Sequence, residues 1–262
     1  FAPLLVSNEV GGSPTALGSD PSDFYEFAKR LEREYPESMT ASSTHDTKRG
    51  EDTRLRLAAI SHYFDEWVRL TKEWRTTNRP MKVKVDGVPS PDANDEYFIY
   101  QTVISLTPPA GVTDELRERL DDYLIKSLRE AKRHTGWLNP DERYERAALG
   151  FMGQMLDSIV QGESEFASQF SKYAGRVRAI ADDLLVSRAV LRLTMPGVPD
   201  TYQGTELYDL TLVDPDNRRA VDYERRKALL ASIGPAVDHR LARFEGGRSQ
   251  GQTAPEPLPQ RG

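Results

Sequence analysis

Apolar residues recur at helical spacing along most of the chain, and strand-like alternation is scarce. Over 114–134, Leu116, Leu120, Leu124, Leu128 and Ala131 form a stripe among charged residues, which predicts the clearest helix. After Ser22, read as an N-cap, Phe24, Phe27, Ala28 and Leu31 share a face, and Tyr35-Pro36 ends that helix. Glu51 and Asp52 suit the positive end of a helix dipole. The helix they open carries Leu55, Ala59, Tyr63 and Trp67 on one side. Another is predicted over 95–107, with Phe98, Thr102, Ile104 and Ser105 turned inward, and more over 144–159, 164–174, 177–193 and 223–233. Segments 7–22 and 76–94 are rich in Gly, Pro and polar residues and read as loops.

Two short segments, 38–44 and 198–202, have strand length, and the second is expected to be buried. They lie far apart, and each runs into unusual polar residues. They make poor sense as a free-standing sheet and good sense as the last strands of a β/α barrel. The expectation is therefore an α/β fold: part of a TIM-type barrel with a long, mainly helical insertion. Residues 1–49 would be a barrel segment, 50–190 the insertion, and 191–233 the last strand and its helix. Residues 234–262, where large apolar side chains nearly vanish, read as a disordered tail.

Composition narrows the function classes. With 35 Lys and Arg against 41 Asp and Glu in 262 residues, the net charge is -6, which argues against a nucleic-acid partner. No apolar run approaches the roughly 18 residues of a membrane span. The absence of Cys excludes disulfides, thiolate metal sites and a thiol nucleophile, and fits a cytoplasmic location. Four His are too few for a His-rich metal site, and no metal or cofactor is expected. The chain opens on Phe1 with no initiator Met, and the reading is a cut inside a longer protein.

Three polar clusters are candidates for chemistry. In Thr44-His45-Asp46-Thr47-Lys48-Arg49, a carboxylate beyond a strand end can brace sugar hydroxyls. His45 can donate to the same ring, while Lys48 and Arg49 keep the acid ionised. The alternative is a solvated turn capping the next helix. In the segment 196–207, Tyr202 offers a sugar platform or a core aromatic at the rim, and Gly204 after Gln203 allows close approach of backbone to a ligand. The third cluster is Asp214-Pro215-Asp216-Asn217-Arg218-Arg219. It lacks the Gly of a calcium loop and suggests an Arg latch between loops, polar contacts to sugar, or a charged turn. Trp67 and Trp74 read as packing residues. His62, His134 and His239 carry no evident constellation, and Glu9 is either functional or a loop cap.

Taken in order, these clusters resemble the signature of maltooligosyltrehalose synthases, in the α-amylase superfamily. The resemblance is carried by Asn8-Glu9-Val10-Gly11-Gly12, by Ser43 through Asp52, and by Tyr100-Gln101-Thr102. Arg129-Glu130-Ala131-Lys132, Thr135-Gly136-Trp137, the segment 196–207 and Leu212 through Arg219 complete it. It departs at Gly50 and Gly136, where the family tends to have Ser, and at Ala220, where Pro is usual.

The resemblance implies that Asp46 is the third superfamily carboxylate, beyond the seventh barrel strand. His45, Lys48, Arg49, Tyr202, Gln203, Asp216, Asn217 and Arg218 would bind a maltooligosaccharide. The nucleophile and acid/base would come from an N-terminal part of the same enzyme, leaving this chain inactive alone. A trehalose-releasing hydrolase would be a pathway partner. The competing readings are another α-glucan hydrolase or glucosyltransferase of the superfamily, and a non-catalytic helical interaction fragment.

Overall fold

Asp20 opens the first helix, α1 (Pro21–Glu34), in a computed structural model that describes residues 4–13, 15 and 18–234. Its side chain accepts from the Ser22 N–H at 2.8 Å, and Pro21 supplies a first helical residue with no N–H to satisfy. The cap is thus Asp20 rather than Ser22. A short strand, β1 (Met39–Ala41), follows, then the polar loop 42–50 and α2 (Glu51–Ala59). The helix predicted from Glu51 past Trp67 is interrupted by a 3-10 turn at Ile60–Tyr63, after which α3 (Phe64–Thr77) begins.

The segment 76–94 is more ordered than a loop. A hairpin, β2 (Val83–Val85) and β3 (Val88–Ser90), pairs antiparallel with Val85 opposite Val88. Asp86 and Gly87 make its turn at φ 51° and 83°, the left-handed pair that matches strand twist. Next come α4 (Ala93–Leu106), α5 (Asp114–Ala131), α6 (Glu142–Gln161) and α7 (Glu165–Thr194). The two helices predicted over 164–193 are one 30-residue helix, because Gly175 weakens a helix without removing any backbone hydrogen bond.

The core is built around α4, which is buried from Asp95 to Leu106 on nearly every side and packs against α2, α3, α5, α6 and α7. Trp67 and Trp74 are packing residues, both 0% exposed. Trp74 meets Phe166 edge-on at 5.3 Å and Tyr100 at 5.5 Å, and Trp67 stacks on Tyr173 at 5.5 Å. Each such ring pair adds about 0.5–1.5 kcal/mol beyond its buried area. The indole N–H groups are satisfied by Tyr97 and Gln169, at 2.9 and 2.8 Å.

After α7, β4 (Val198–Asp200) pairs parallel with β1, Met39 opposite Val198 and Ala41 opposite Asp200. The two predicted strands are therefore neighbours, joined through α2 to α7. Contrary to expectation β4 is not buried, since Val198 is exposed and the pair has no third strand among the described residues. Gly197 reaches φ 113°, letting the Val198 N–H donate to the Ser38 carbonyl at 2.9 Å. A second unit begins at Ala220, and its described part holds a helix over 223–234, near the predicted 223–233. The remainder of the tail and His239 lie outside the described residues. Among the described residues no helix is long and apolar enough to cross a membrane.

Candidate active site

β1 delivers the chain into the loop 42–50, where local hydrogen bonds shape a turn. The Thr47 hydroxyl donates to the Thr44 carbonyl at 2.8 Å, and the Asp46 N–H donates to Thr44 Oγ1 at 3.2 Å. His45 and Asp46 emerge at its tip, their side chains 57% and 72% exposed and 3.3 Å apart. Among the described residues both side chains are more than half exposed. They stand on a held backbone, paired with each other and open to solvent.

Three separate segments hold that backbone. The Glu9 carboxylate accepts from the Lys48 N–H at 2.6 Å and the Arg49 N–H at 3.3 Å. Asn217 donates through Nδ2 to the His45 carbonyl at 3.0 Å, and Tyr202 donates its hydroxyl to the Asn217 carbonyl at 3.2 Å. On the far side of the loop, the Gly50 N–H donates to the Thr211 carbonyl at 2.9 Å. The three clusters found in the sequence thus meet, with Asn217 as the link between the other two.

The remaining predicted site residues divide into two groups. Arg49 is buried, and its guanidinium donates to the Asn8 carbonyl at 3.2 Å and the Tyr123 hydroxyl at 3.0 Å, so it braces the loop. Asp216 is the acceptor in the latch, but its main partner is Arg119 on α5, bidentate at 2.6 and 2.9 Å. Arg219 turns to Glu115 at 2.8 Å. In contrast, Lys48 lies half-exposed with Nζ 3.9 Å from Glu130, Gln203 is exposed, and Arg218 is exposed and paired with Asp214 at 2.6 Å.

A charged layer lies under the loop. Arg188 of α7 sits between Glu51 and Asp52, 3.1 and 3.4 Å away, and Ser42 donates to Glu51. Burial pushes the Asp52 carboxyl up to about 6, against the Asp209 N–H and Arg188, which favour its charge. Beside the loop a cavity of about 220 Å³ is lined by Lys48, Arg49, Asp95, Phe98 and Tyr123, among others. Burial raises the Asp95 carboxyl too, while the Tyr144 hydroxyl donates to it at 2.6 Å. The sequence marks Phe98 as inward-facing, but neither its stacking on Tyr123 nor the place of Asp95 in the cavity wall is visible there, because an acid near a helix start signals only a dipole partner.

His134 does have partners: it lies 2.9 Å from Asp92 and stacks on Tyr144 at 4.3 Å. His134, Asp92 and Asp95 place ligand-type atoms within 4.8 Å of one another. Asp92 is already engaged there by Arg133 and by the N–H groups of Asn94 and Asp95, which suits a helix cap better than a metal.

No family model matches the chain. Two curated relatives are 38% identical over 233 residues, each a "Putative maltooligosyl trehalose synthase" of Mycobacterium tuberculosis, from strains CDC 1551 / Oshkosh and ATCC 25618 / H37Rv. The match takes in 88% of this chain but only 28% of either relative. Among solved structures, a hypothetical maltooligosyl trehalose synthase of Sulfolobus tokodaii aligns with a TM-score of 0.73 at 36% identity, over 83% of this chain and 28% of that one. The maltooligosyltrehalose synthase of Arthrobacter ramosus aligns with a TM-score of 0.73 at 32% identity, over 89% of this chain and 28% of that one. In sequence and in fold alike, the chain is similar to maltooligosyltrehalose synthases, and it spans a little over a quarter of the length of the relatives it matches.

Proposed function

We propose that this chain supplies the transition-state-bracing carboxylate and one wall of the substrate site of a (1→4)-α-D-glucan 1-α-D-glucosylmutase. That activity converts the reducing end of a maltooligosaccharide into an α,α-1,1-linked trehalose unit by intramolecular transglycosylation. The observation that supports it best is the His45-Asp46 tip. Its backbone is fixed by Glu9, Asn217 and Thr44, while both side chains project into solvent.

On this reading β1 and β4 are the seventh and eighth strands of a TIM-type barrel, and the loop after β1 stands where such barrels carry catalysis. Residues 50–190 are the insertion between them. A retaining mechanism needs a nucleophile and an acid/base about 5–5.5 Å apart, and the rest of the enzyme would provide both. The nucleophile forms a glucosyl-enzyme as the acid/base protonates the leaving oxygen. The anomeric hydroxyl of the released glucose then attacks in place of water, and the acid/base takes its proton.

Asp46 and His45 would hold ring hydroxyls as positive charge builds at the anomeric carbon. Lys48, Gln203 and Arg218, all accessible, are the sugar donors. Arg49, Tyr202, Asp216 and Asn217 bind indirectly, by positioning the loop. The helical segment would act as the lid that keeps water out. The chain alone would make no product, the enzyme would work in the cytoplasm, and its product would feed a trehalose-releasing hydrolase.

The test is the intact enzyme with maltopentaose. The parent should yield a non-reducing product, and Asp46→Asn should lower turnover by about a hundredfold or more with an unchanged unfolding midpoint. Free glucose as the only product, or near-parental turnover in the variant, would overturn the assignment.

A further inference from the structure

Beyond α5 the chain passes through a tight loop, 132–139, before α6, and that loop presents Trp137. The other two tryptophans of the chain are 0% exposed, whereas Trp137 is 56% exposed. It is nevertheless held. The Arg129 guanidinium lies 5.1 Å from the ring centroid, a cation–π contact on one part of the indole. Arg129 is fixed in turn by a fork onto Glu145, both bonds 2.7 Å, and the Thr135 hydroxyl donates to the same carboxylate at 2.6 Å. Those contacts hold Glu145 well below the usual carboxylate range, so the charge of the brace persists in mild acid.

A ring held in place by its neighbours with part of its face open is preorganised to receive a ligand that stacks on it. Beside it lies a cavity of about 450 Å³, whose wall includes Lys132, His134 and Asn139. An aromatic face next to side-chain donors and an amide suits a pyranose, which has an apolar face of C–H groups and a rim of hydroxyls. The cavity adjoins the proposed site through the end of α5: Glu130 faces Lys48 at 3.9 Å, and Lys132, two residues on, begins the Trp137 wall.

We infer that Trp137 is the stacking platform of a second α-glucan subsite, which receives a glucosyl ring other than the one braced by His45 and Asp46. The choice of α-glucan as ligand rests on the function proposed above, but binding at Trp137 does not require turnover.

The probe is maltoheptaose, titrated calorimetrically into the intact enzyme carrying Asp46→Asn, with cellohexaose as the linkage control. Adding Trp137→Ala should weaken binding about three- to tenfold. Trp137→Phe should recover most of it, and Val160→Ala, a change at an exposed residue outside that wall, should do nothing. Indole emission should move to shorter wavelength on titration in the parent and stay still in Trp137→Ala. Equal affinity with and without the indole would overturn the subsite. So would equal binding of cellohexaose, or an indole already shielded from acrylamide before sugar is added, which would mean that the rest of the polypeptide covers it. A subsite that survives these tests in an enzyme whose turnover ignores Asp46→Asn would sink the catalytic assignment alone.

Discussion

Gly50 is a residue whose identity is set by a single neighbour. Its φ of -57° is ordinary, so backbone freedom is not the reason for glycine. A Cβ there would lie 2.3 Å from Thr211 Oγ1, a hydroxyl held at 3.0 Å by Asp209. The Ser that the resemblance leads one to expect at this place would therefore meet Thr211. Gly50→Ser should cost about 1–3 kcal/mol in urea unfolding, and Gly50→Ser with Thr211→Ala should recover most of that. Additive losses in the double variant would refute the conflict. Asp52 gives a second test at this scale. Its folded-state value of about 6 stands above the ordinary 3.8, so the folded chain binds the proton more tightly than the unfolded one. The resulting stabilisation is complete below about 3.8 and is lost as pH rises through 6. Between pH 6 and 4 the parent should gain on Asp52→Asn in unfolding midpoint. A constant gap over that window would contradict the assignment.

Among the elements, glycine has opposite consequences at two positions. In α7, Gly175 has helical φ and only Arg178 Nη2 near its would-be Cβ, at 3.9 Å. Gly175→Ala should stabilise by about 0.5–1 kcal/mol. At the start of β4, Gly197 combines φ 113° with a would-be Cβ 2.7 Å from the Ser38 carbonyl. Gly197→Ala should destabilise by about 1–3 kcal/mol and loosen the β1–β4 pair. Equilibrium unfolding of both variants checks the signs. The contrast also explains what the sequence revealed of the fold. The α5 stripe was legible because every apolar position in it has a local period, and the Asp86-Gly87 turn was equally local, though hidden inside a polar stretch. The continuity of α7 across Gly175 and the exposure of β4 were not legible, because packing decides them. At the site, the clusters themselves could be read from residue type. Their convergence could not, since Asn217 reaches the His45 carbonyl across 172 positions of chain.

At the scale of the unit that ends at Arg219, apolar side chains are spent unevenly. Around α4 they are buried almost completely, whereas Phe24 and Phe27 on α1, Met39 on β1 and Val198 on β4 stay exposed. So do Val186, Val190 and Leu193, which follow one face of the last turns of α7. A parallel strand pair is ordinarily covered on both faces, and here the uncovered surface flanks that pair. The periodicity of α1 marked an apolar face, of which the described residues bury Leu31 but leave Phe24 and Phe27 exposed. The chain spans 28% of its relatives' length, and we propose that in a full-length enzyme of that kind the part outside this chain covers this surface. The chain on its own should bind a hydrophobic dye and self-associate. Replacing Val186, Val190 and Leu193 together by Lys should reduce dye binding and association while leaving its unfolding midpoint nearly unchanged, because those side chains bury little within it. In the intact polypeptide the same triple change should lower the midpoint sharply, as charges are forced into an interface. An equal effect in both settings would show that this face is solvent-exposed in the complete protein as well.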